Sequence, residues 1–394
     1  MKPVYSALVF TTFIFLNISC SKSSGGGPTP TSDPEASINN VSQDRSTTTS
    51  TFHFTVNLSK ASTSDITIHY TTVEGSAKET KDYTPVSGTL NITAGSTSGK
   101  IDVDITGDSL RKLNQLFYVQ LDNPKNCTLK TSKGTATIVN ENNLYLPVSD
   151  AGYSTPSSYP GYTLAWSDEF NGNSVNTADW TYETGNNGWG NNELENYTNT
   201  TQNSFVSTGN LIIEARHVGD AYSSARMITK NKKIFTYGRI DIRAKLPKGK
   251  GIWPALWMLG NNIDAVNWPS CGEIDMMELL GQEPNKVYGT MHWGTSAATH
   301  ESKGTNYVLS SGDFYDEFHV FSMLWEQDSI KLYVDDHLYF SFSKGDVTGS
   351  PYPFNNNFFF IFNVAVGGNW PGNPDGTTDF PQRMFVDYVR VFQK

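Results

Sequence analysis

Three acidic residues are packed into one short apolar stretch, residues 272–280, which reads GEIDMMELL. Glu273 and Asp275 are two positions apart, whereas Glu278 follows Asp275 by three. In a β-strand, alternate side chains point to opposite faces, so Glu273 and Asp275 share one face. Glu278 returns to that face only if a β-bulge adds a residue, and bulges are frequent beside active sites because they redirect side chains. A helix would place the two glutamates on diverging faces, so we predict a bulged strand.

Crowding three carboxyl groups on one face changes their acidity. Repulsion and partial burial raise the pKa of at least one of them, so an ionised carboxylate lies beside a protonated acid near neutral pH. Cleavage of a glycosidic bond requires such a pair, one group as nucleophile and the other as proton donor. Four strand steps of about 3.3 Å separate the glutamate backbones by about 13 Å, and side chains that lean together can approach the roughly 5–5.5 Å of a retaining enzyme. A solvated acidic face and a calcium site are the alternatives.

Residue types that bind sugars are predicted on the neighbouring strands. The stretch GIWPALWML places Trp253 and Trp257 four residues apart, on one face of a strand just upstream of the acids. Downstream, GTMHWG contains His292. Tryptophan rings stack on pyranose rings, and histidine or amide groups bind hydroxyls. These residues, and the apolar opposite face of GEIDMMELL, favour a catalytic cleft over a solvated acidic face.

Two further tryptophans are predicted in loops. Trp189 lies with Asn191 and Asn192 in GWGNNELENYT, and Trp370 lies in GGNWPGNPDG. A single tryptophan is more often a core residue than a sugar platform. The flanking glycines and asparagines reverse that preference because they indicate turns. We therefore predict that Trp189, Asn191 and Trp370 bind substrate.

The chain as a whole predicts an all-β protein with two domains. Residues 36–142 alternate apolar and polar residues in short runs, as expected for a small Ig-like antiparallel sandwich. Residues 143–160 contain Pro, Ser and Gly and predict a linker. Residues 161–394 hold all nine tryptophans and at least eight strand-like runs, which predicts two stacked sheets in a jelly roll.

The overall charge and the cysteines restrict partners and chemistry. With 39 acidic and 29 basic residues the formal net charge is −10, which disfavours nucleic acid, anionic membrane surfaces and sulfated polymers but not a neutral polysaccharide. Cys127 and Cys271 lie in different predicted domains, so we expect no disulfide between them. The sequence has no CxxC motif or Cys/His cluster that would indicate a zinc site or a redox site. We expect a monomer.

The N-terminus predicts export and anchoring. Its apolar run SALVFTTFIFLNIS is short for a transmembrane helix and fits a cleaved signal peptide of residues 1–19. Cys20 then resembles the lipidated cysteine of bacterial lipoproteins, and residues 20–35 predict a flexible tether. We expect a lipid-anchored protein of the outer membrane or cell surface of a bacterium. The alternative is a secreted protein with an incidental cysteine.

The motifs together resemble glycoside hydrolase family 16. EIDMME resembles the bulged form of its catalytic signature, and the resemblance extends over about residues 160–394 to the bacterial laminarinases through GWGNNELENYT, TYGRIDIRAKLPKGKGIWPALWMLG, GTMHWG and NVAVGGNWPGNPDGTTDFPQRMFVDYVRVFQ. It implies a concanavalin A-like jelly roll and endo-hydrolysis of β-1,3-glucan with retention of configuration. It also implies Glu273 as nucleophile, Asp275 as its assisting acid and Glu278 as general acid/base.

The same resemblance implies substrate contacts and leaves alternatives open. Trp253 and Trp257 would shape subsites beside the cleavage point, and His292 would lie near the acids. Trp189 and Asn191 would serve the non-reducing side. Mixed-linkage β-1,3-1,4-glucan is a second expected substrate. Because agarases, porphyranases and carrageenases share the bulged signature, an algal galactan hydrolase is an alternative, as is a non-catalytic glucan-binding lectin.

Metal sites are expected only by resemblance. No cofactor is expected for catalysis, but many laminarinases carry a structural calcium ion, and the matching positions here are Glu169, Gly209 and Asp387.

The N-terminal sandwich resembles a Calx-beta domain through KDYTPVSGTLNITAGSTSGKIDVDITGD and LFYVQLDNP. Many members bind calcium through acidic residues, and Asp82 and Asp108 match two such positions. Arg111 and Lys112 follow where further acids are usual and would repel calcium. We therefore expect a spacer, with glycan binding as the alternative.

Overall fold

The computed structural model describes residues 32–394. The predicted signal peptide, Cys20 and most of the predicted tether lie outside these residues. Within the described range, no helix is long and apolar enough to cross a membrane. Residues 32–394 form an almost all-β structure, as predicted, and contain one short helix, α1 (Ile263–Val266), and two 3₁₀ turns at Ala297–Thr299 and Lys344–Asp346.

The N-terminal domain is a sandwich of two sheets. Its strands are β1 (Glu35–Ile38), β2 (Val41–Asp44), β3 (Ser50–Leu58), β4 (Ile66–Glu74), β5 (Ser87–Ile92), β6 (Ser98–Ile105), β7 (Gln115–Lys125), β8 (Thr128–Thr131) and β9 (Lys133–Val139). One sheet has the order β6-β3-β1-β8 and the other β2-β9-β7-β4-β5. The pairs β1·β8 and β2·β9 are parallel. The prediction of a purely antiparallel sandwich is therefore wrong at these two pairs, because the entering chain crosses from one sheet to the other between β1 and β2.

The two acids expected to bind calcium in this domain are paired with basic side chains. Arg45 donates to Asp82 Oδ1 at 3.0 Å, and Lys112 donates to Asp108 Oδ2 at 2.6 Å. Burial alone would raise the pKa of Asp82, but the backbone N–H of Lys78 and the Arg45 guanidinium lower it. A calcium ion would need these two carboxylates as free ligands, but Arg45 and Lys112 already bind them.

Arg111 does not take part in this cluster. Its guanidinium points away from Asp108 and binds Glu214 of the second domain. The expectation that Arg111 repels calcium is therefore wrong, and Arg45, which is distant in sequence, supplies the second cation instead.

The second domain contains eighteen strands. They are β10 (Thr163–Asp168), β11 (Thr181–Glu183), β12 (Glu195–Tyr197), β13 (Ser204–Ser207), β14 (Asn210–Val218), β15 (Ala221–Ser224), β16 (Arg226–Ile228), β17 (Ile234–Phe235), β18 (Gly238–Lys245), β19 (Ile252–Gly260), β20 (Glu273–Leu279), β21 (Lys286–Trp293), β22 (Glu301–Val308), β23 (His319–Glu326), β24 (Ser329–Val334), β25 (His337–Ser343), β26 (Phe358–Val366) and β27 (Gln382–Gln393).

These strands form the two stacked sheets of a jelly roll. The ten-stranded sheet has the order β12-β15-β14-β27-β18-β23-β24-β25, with β10 on β27 and β13 on β14. The eight-stranded sheet has the order β11-β16-β26-β19-β20-β21-β22, with β17 on β26. One hydrophobic core lies between them, formed by the inward residues of both sheets. Strand β26 is buried at every position, as its apolar sequence predicts.

The cysteines of the described range, Cys127 and Cys271, are both free and buried. Burial raises the pKa of the Cys271 thiol to about 11. A thiol with that pKa stays protonated, so Cys271 is an inert core residue two positions before Glu273.

Candidate active site

The acidic strand carries the bulge that the acid spacing predicts. The pairing of β20 with both neighbouring strands shifts between Asp275 and Glu278, and Met276 has no paired partner on either side. Met276 and Met277 are both buried in the core between the sheets. The strand thus takes up one extra residue on its inner face, and Glu278 returns to the outer face beside the other two acids.

The strand register places the other predicted residues next to the acids. On β21, His292 lies opposite Glu273. On β19, Trp257 lies opposite Asp275. Directly opposed residues in a sheet point to the same face. The outer face of the eight-stranded sheet therefore presents acids, indoles and an imidazole in adjacent rows, while its inner face is apolar.

This outer face is the floor of an open cleft of about 620 Å³. All nine residues predicted for catalysis and substrate binding line it: Trp189, Asn191, Trp253, Trp257, Glu273, Asp275, Glu278, His292 and Trp370.

One end of the acid row is held by an indole and two imidazoles. Trp268 Nε1–H donates to Glu273 Oε2 at 3.0 Å. His292 Nε2 lies 3.1 Å from Asp275 Oδ2 and 3.8 Å from Glu273 Oε1. On its other side, His292 Nδ1 is 2.7 Å from His300 Nε2, and the Trp268 ring packs on His300 at 4.6 Å. The loop that carries His300 therefore supports the imidazole that faces Glu273 and Asp275.

The other end of the acid row lies under tryptophans. Trp253 Nε1–H donates to Glu278 Oε1 at 3.0 Å. The Trp370 ring meets the Trp253 ring edge-on at 5.5 Å and the Tyr288 ring at 4.9 Å. Trp370 is 41% exposed, which leaves a face open to solvent next to Glu278. This placement suits a ring that stacks on a sugar beside the reacting bond.

Asp275 is buried and Glu273 and Glu278 are partly buried, without a strong cation to neutralise them. Burial and the charge of Asp275 raise the pKa of Glu273 to about 8. Burial raises the pKa of Asp275 well above its ordinary value. Burial and the charges of the other two acids do the same for Glu278. Across residues 32–394, no lysine or arginine forms an ion pair with these acids, and His292 is the basic group in contact. The cluster therefore holds at least one proton near neutral pH.

The loop with Trp189 is a tight turn at one end of the cleft. Gly188, Trp189 and Gly190 have φ angles of 77°, 47° and 80°, in the left-handed region that glycine tolerates and tryptophan rarely adopts. Trp189 is held there by its Nε1–H bond to the Gly185 carbonyl at 3.2 Å. Arg226 lies over its ring at 4.9 Å and over the Trp257 ring at 4.7 Å.

A chain of polar contacts joins this loop to the cleft floor. Trp257 Nε1–H donates to Asn363 Oδ1 at 2.8 Å, and Asn363 Nδ2 donates to the Tyr197 hydroxyl at 2.9 Å. Tyr197 donates to Glu193 Oε2 at 3.0 Å, and Asn191 Nδ2 donates to Glu193 Oε1 at 3.2 Å. Asn191 is therefore positioned by a network that reaches the strand opposite Asp275.

Six polar or aromatic cleft residues are not predicted from the sequence: Glu193, Arg226, Trp268, Thr290, His300 and Asn363. Glu193 lies inside GWGNNELENYT, the motif from which Trp189 and Asn191 are predicted, so its position in that motif could have identified it. Trp268 and His300 lie on loops whose path depends on tertiary packing. Arg226 and Asn363 are single polar residues on strands and become recognisable only once strand order is known.

The residues expected to hold calcium in the second domain do not form an open site. Glu169 accepts two hydrogen bonds from Arg390, at 2.8 and 2.7 Å. Asp387 accepts one from Arg243 at 2.8 Å, and burial raises its pKa. Gly209 lies in the turn between β13 and β14. Since both carboxylates are already paired with arginines, these two side chains as they stand do not offer free oxygens to a calcium ion.

Comparison with known families finds two matches. The model of Glycosyl hydrolases family 16 matches residues 190–390, which include every residue of the acid row and most of the cleft. The Calx-beta domain model matches residues 36–142.

The similar proteins include glucanases. Glucan endo-1,3-beta-glucosidase A1 of Niallia circulans is 41% identical over 62% of this chain, but the match spans only 39% of that protein. The Beta-glucanase of Rhodothermus marinus is 40% identical over 59% of this chain and 86% of its own length. The laminarinase catalytic domain of Thermotoga maritima MSB8 is 50% identical, with a TM-score of 0.56, over 59% of this chain and 98% of that structure. Because the family model covers more than half of the chain, this protein belongs to glycosyl hydrolase family 16, with a Calx-beta domain ahead of the catalytic domain.

Proposed function

We propose that this protein is a retaining endo-β-1,3-glucanase that cleaves laminarin-type glucan. The observation that carries the proposal is a row of three carboxyl groups on one bulged strand, one buried and two partly buried, on the floor of an open cleft lined by tryptophans. In the described residues they form no ion pair with lysine or arginine. The activities of the similar proteins from Niallia, Rhodothermus and Thermotoga support the same substrate. Family 16 glycosidases need no cofactor for catalysis.

In the first step, Glu273 and Glu278 act on opposite sides of the bond that breaks. The Glu278 carboxyl gives its proton to the glycosidic oxygen as the carbon–oxygen bond breaks, and the Glu273 carboxylate bonds to the anomeric carbon. The Trp253 N–H occupies Glu278 Oε1, so Oε2 is the oxygen that carries the proton. The Trp268 N–H occupies Glu273 Oε2, so Oε1 is the attacking oxygen.

In the second step, the Glu278 carboxylate takes a proton from water. The water oxygen bonds to the anomeric carbon, and Glu273 leaves as a carboxylate. Two displacements restore the original configuration. Asp275 is 3% exposed and faces His292. Its negative charge raises the pKa of Glu273 and so adjusts how readily that carboxylate attacks and leaves.

The raised pKa values suit this division of work. Glu278 must be protonated when substrate binds, and burial together with the two neighbouring acids favours that form. Glu273 must be ionised, and the Trp268 N–H, His292 and Arg226 all favour its charged form against burial. Once one acid of the row is protonated, the repulsion that raises the pKa of the others falls, so one proton is enough for both roles.

The cleft favours a neutral glucan over the other candidate substrates. Acids on its floor and a net charge of −10 disfavour sulfated galactans. The rings of Trp189 and Trp370, which lie on adjacent loops joined by the Asn192–Asn369 hydrogen bond, suit stacking on glucose units. Mixed-linkage glucan is the second proposed substrate. A lectin has no use for buried unpaired carboxyl groups, which cost stability without contributing to binding.

A panel of soluble laminarin, lichenan, agarose and carrageenan, read by release of reducing ends, tests the proposal. We expect the highest rate on laminarin and a lower rate on lichenan. Activity confined to agarose or carrageenan would show a galactan hydrolase. Binding of laminarin without release of reducing ends would show a lectin.

We further propose that the protein is a monomer anchored by a lipid on Cys20 at the cell surface. The residues that support the anchor, the apolar run and Cys20, are visible only in the sequence. Replacing Cys20 with Ala should move activity from the membrane fraction to the medium. Equal release from the unaltered protein would show secretion instead.

A further inference from the structure

The face of the catalytic domain opposite the cleft carries buried charges. On β14, Ile213 and Ala215 point into the core, so Glu214 and Arg216 point to the far side of the ten-stranded sheet. Glu214 is 0% exposed and Arg216 is 5% exposed. Charged residues on the outer face of a sheet are normally solvated. This back face is therefore covered by another part of the chain.

Part of the cover is the predicted linker. Residues 141–160, here called the strap, run over the back face and bind it mainly through their backbone. Arg243 donates to the carbonyls of Asp150 and Tyr153, each at 2.7 Å. The Tyr159 hydroxyl donates to Asp241 Oδ2 at 2.7 Å. The strap thus satisfies buried charges of β18, which a flexible linker would leave exposed.

Another part of the cover comes from the Calx-beta domain, through the side chain of Arg111. Its guanidinium donates to both carboxylate oxygens of Glu214, each at 2.9 Å, and to the Gln202 carbonyl at 2.9 Å. It also donates to the carbonyls of Glu141 and Asn143 in the strap. The side chain is 1% exposed. One residue of the first domain therefore joins that domain, the strap and the catalytic domain.

The surroundings of this contact are charged and tightly paired. Glu214 also accepts from Arg216 and Arg383, each at 2.7 Å, and Arg216 contacts Glu141 of the strap at 2.6 Å. Arg111 in addition lies over the Phe205 ring at 4.5 Å. A guanidinium with five hydrogen-bonded acceptors and an aromatic face beneath it is a fixed group.

We propose that the Calx-beta domain is a docked part of the catalytic domain rather than a spacer, and that Arg111 holds it against the back face. The two domains and the strap then form one rigid unit, with the cleft facing away from the N-terminal domain. Without Arg111, three buried carbonyls and both Glu214 oxygens each lose one hydrogen-bond donor. The contact between the two domains is then less stable. This inference goes beyond the proposed function and does not depend on it.

Variants of the chain without its signal peptide test the docking. Arg111→Met removes the guanidinium but keeps an apolar stem, and Arg111→Lys keeps the charge but not the planar fork. Lys100→Met, at an exposed position of β6, is the matched control. Calorimetry reads the number and temperature of the unfolding transitions. Brief chymotrypsin digestion with mass spectrometry reads cleavage after Tyr145 or Tyr153 in the strap.

We expect one cooperative transition and an uncut strap for the unaltered chain and for Lys100→Met. Arg111→Met should lower the transition by about 5–10 °C or split it in two, and the strap should become cleavable. Arg111→Lys should show a smaller change in the same direction. If Arg111→Met does not fold, Arg111→Lys tests the docking in its place. Laminarin turnover at 25 °C should be unchanged in the folded variants. Transitions and cleavage equal to those of the control in every folded Arg111 variant would overturn the docking.

Discussion

Buried acids are treated in opposite ways on the two faces of the catalytic domain. On the back face, burial would raise the pKa of Glu214, but hydrogen bonds and charges from Arg111 and Arg383 outweigh it and lower the pKa. In the cleft, burial and Asp275 raise the pKa of Glu273 to about 8, because an imidazole and an indole N–H are its nearby donors. Burial raises the pKa in both places. At Glu214 the hydrogen bonds of three arginines outweigh burial, whereas the single arginine partner of Asp387 and the imidazole beside Glu273 do not.

This contrast separates structural acids from reactive ones. An acid held by several guanidinium groups keeps its charge at all moderate pH values and can stabilise a domain contact, as Glu214 does. An acid left unpaired can gain and lose a proton near neutral pH, which general acid–base chemistry requires. Removing an acid should therefore cost activity on one face and stability on the other.

The largest effect is expected in the cleft. Glu278→Gln and Glu273→Gln each remove a reacting carboxyl group while keeping its shape, so release of reducing ends from laminarin should fall by about 10²–10⁴-fold. Glu326→Gln, an exposed acid on the ten-stranded sheet that pairs with Lys394, is the matched control and should keep full activity. Near-normal turnover in either cleft variant would contradict the assignment.

Stability should respond on the back face. Glu214→Gln leaves three arginines around a neutral amide, so the free energy of unfolding in denaturant should fall by about 3–5 kcal/mol. Turnover per folded molecule should stay close to normal because the cleft lies on the other sheet. An unchanged midpoint of unfolding, or a loss of turnover at normal stability, would contradict a structural role for Glu214.

The pH dependence of stability should reveal the unpaired acid. The pKa of Glu273 is 4.5 in the unfolded chain and about 8 in the folded one. Between these values the folded acid row binds a proton, shared among its coupled carboxyl groups, that the unfolded chain has lost. The stability from this group is therefore full below pH 4.5 and declines as the pH rises to 8. Glu273→Gln removes the decline, so its free energy of unfolding relative to the unaltered chain should rise by about 1–3 kcal/mol from pH 5 to pH 8. If the difference in free energy of unfolding between the two proteins does not change with pH, Glu273 does not contribute to proton uptake on folding, which would contradict this prediction.

A smaller effect is expected at the imidazole pair. His300→Ala removes the hydrogen bond that orients His292, worth about 1 kcal/mol, so kcat on laminarin should fall by about fivefold. His300→Gln offers a donor of similar reach and should recover most of the rate. Equal loss in both variants would show that His300 acts through loop packing rather than through His292.

Local patterns made part of this molecule predictable. The bulge and the shared face of the three acids follow from strand alternation and from the position of Glu278, which are properties of neighbouring residues. The cleft tryptophans follow from residue type and turn composition. The all-β fold follows from short alternating runs. Each of these predictions uses information that lies within about ten residues.

The remaining features depend on neighbours far along the chain. Trp268 and His300 reach the acids through loops whose paths are set by packing. Whether Arg111 or Arg45 faces Asp82 is decided by strand order, which period-two alternation does not contain. The strap binds largely through backbone carbonyls, which are the same in every residue type, so its Pro and Ser content predicted only a linker.

Proton NMR of laminarin during digestion tests the central claim most directly, because it reports cleavage, substrate and stereochemistry together. If Glu273 is the nucleophile and Glu278 the acid/base, new reducing ends should appear first as the β-anomer and convert to the α-anomer only by mutarotation. Initial release of the α-anomer, or no new reducing ends from the folded protein, would contradict the account.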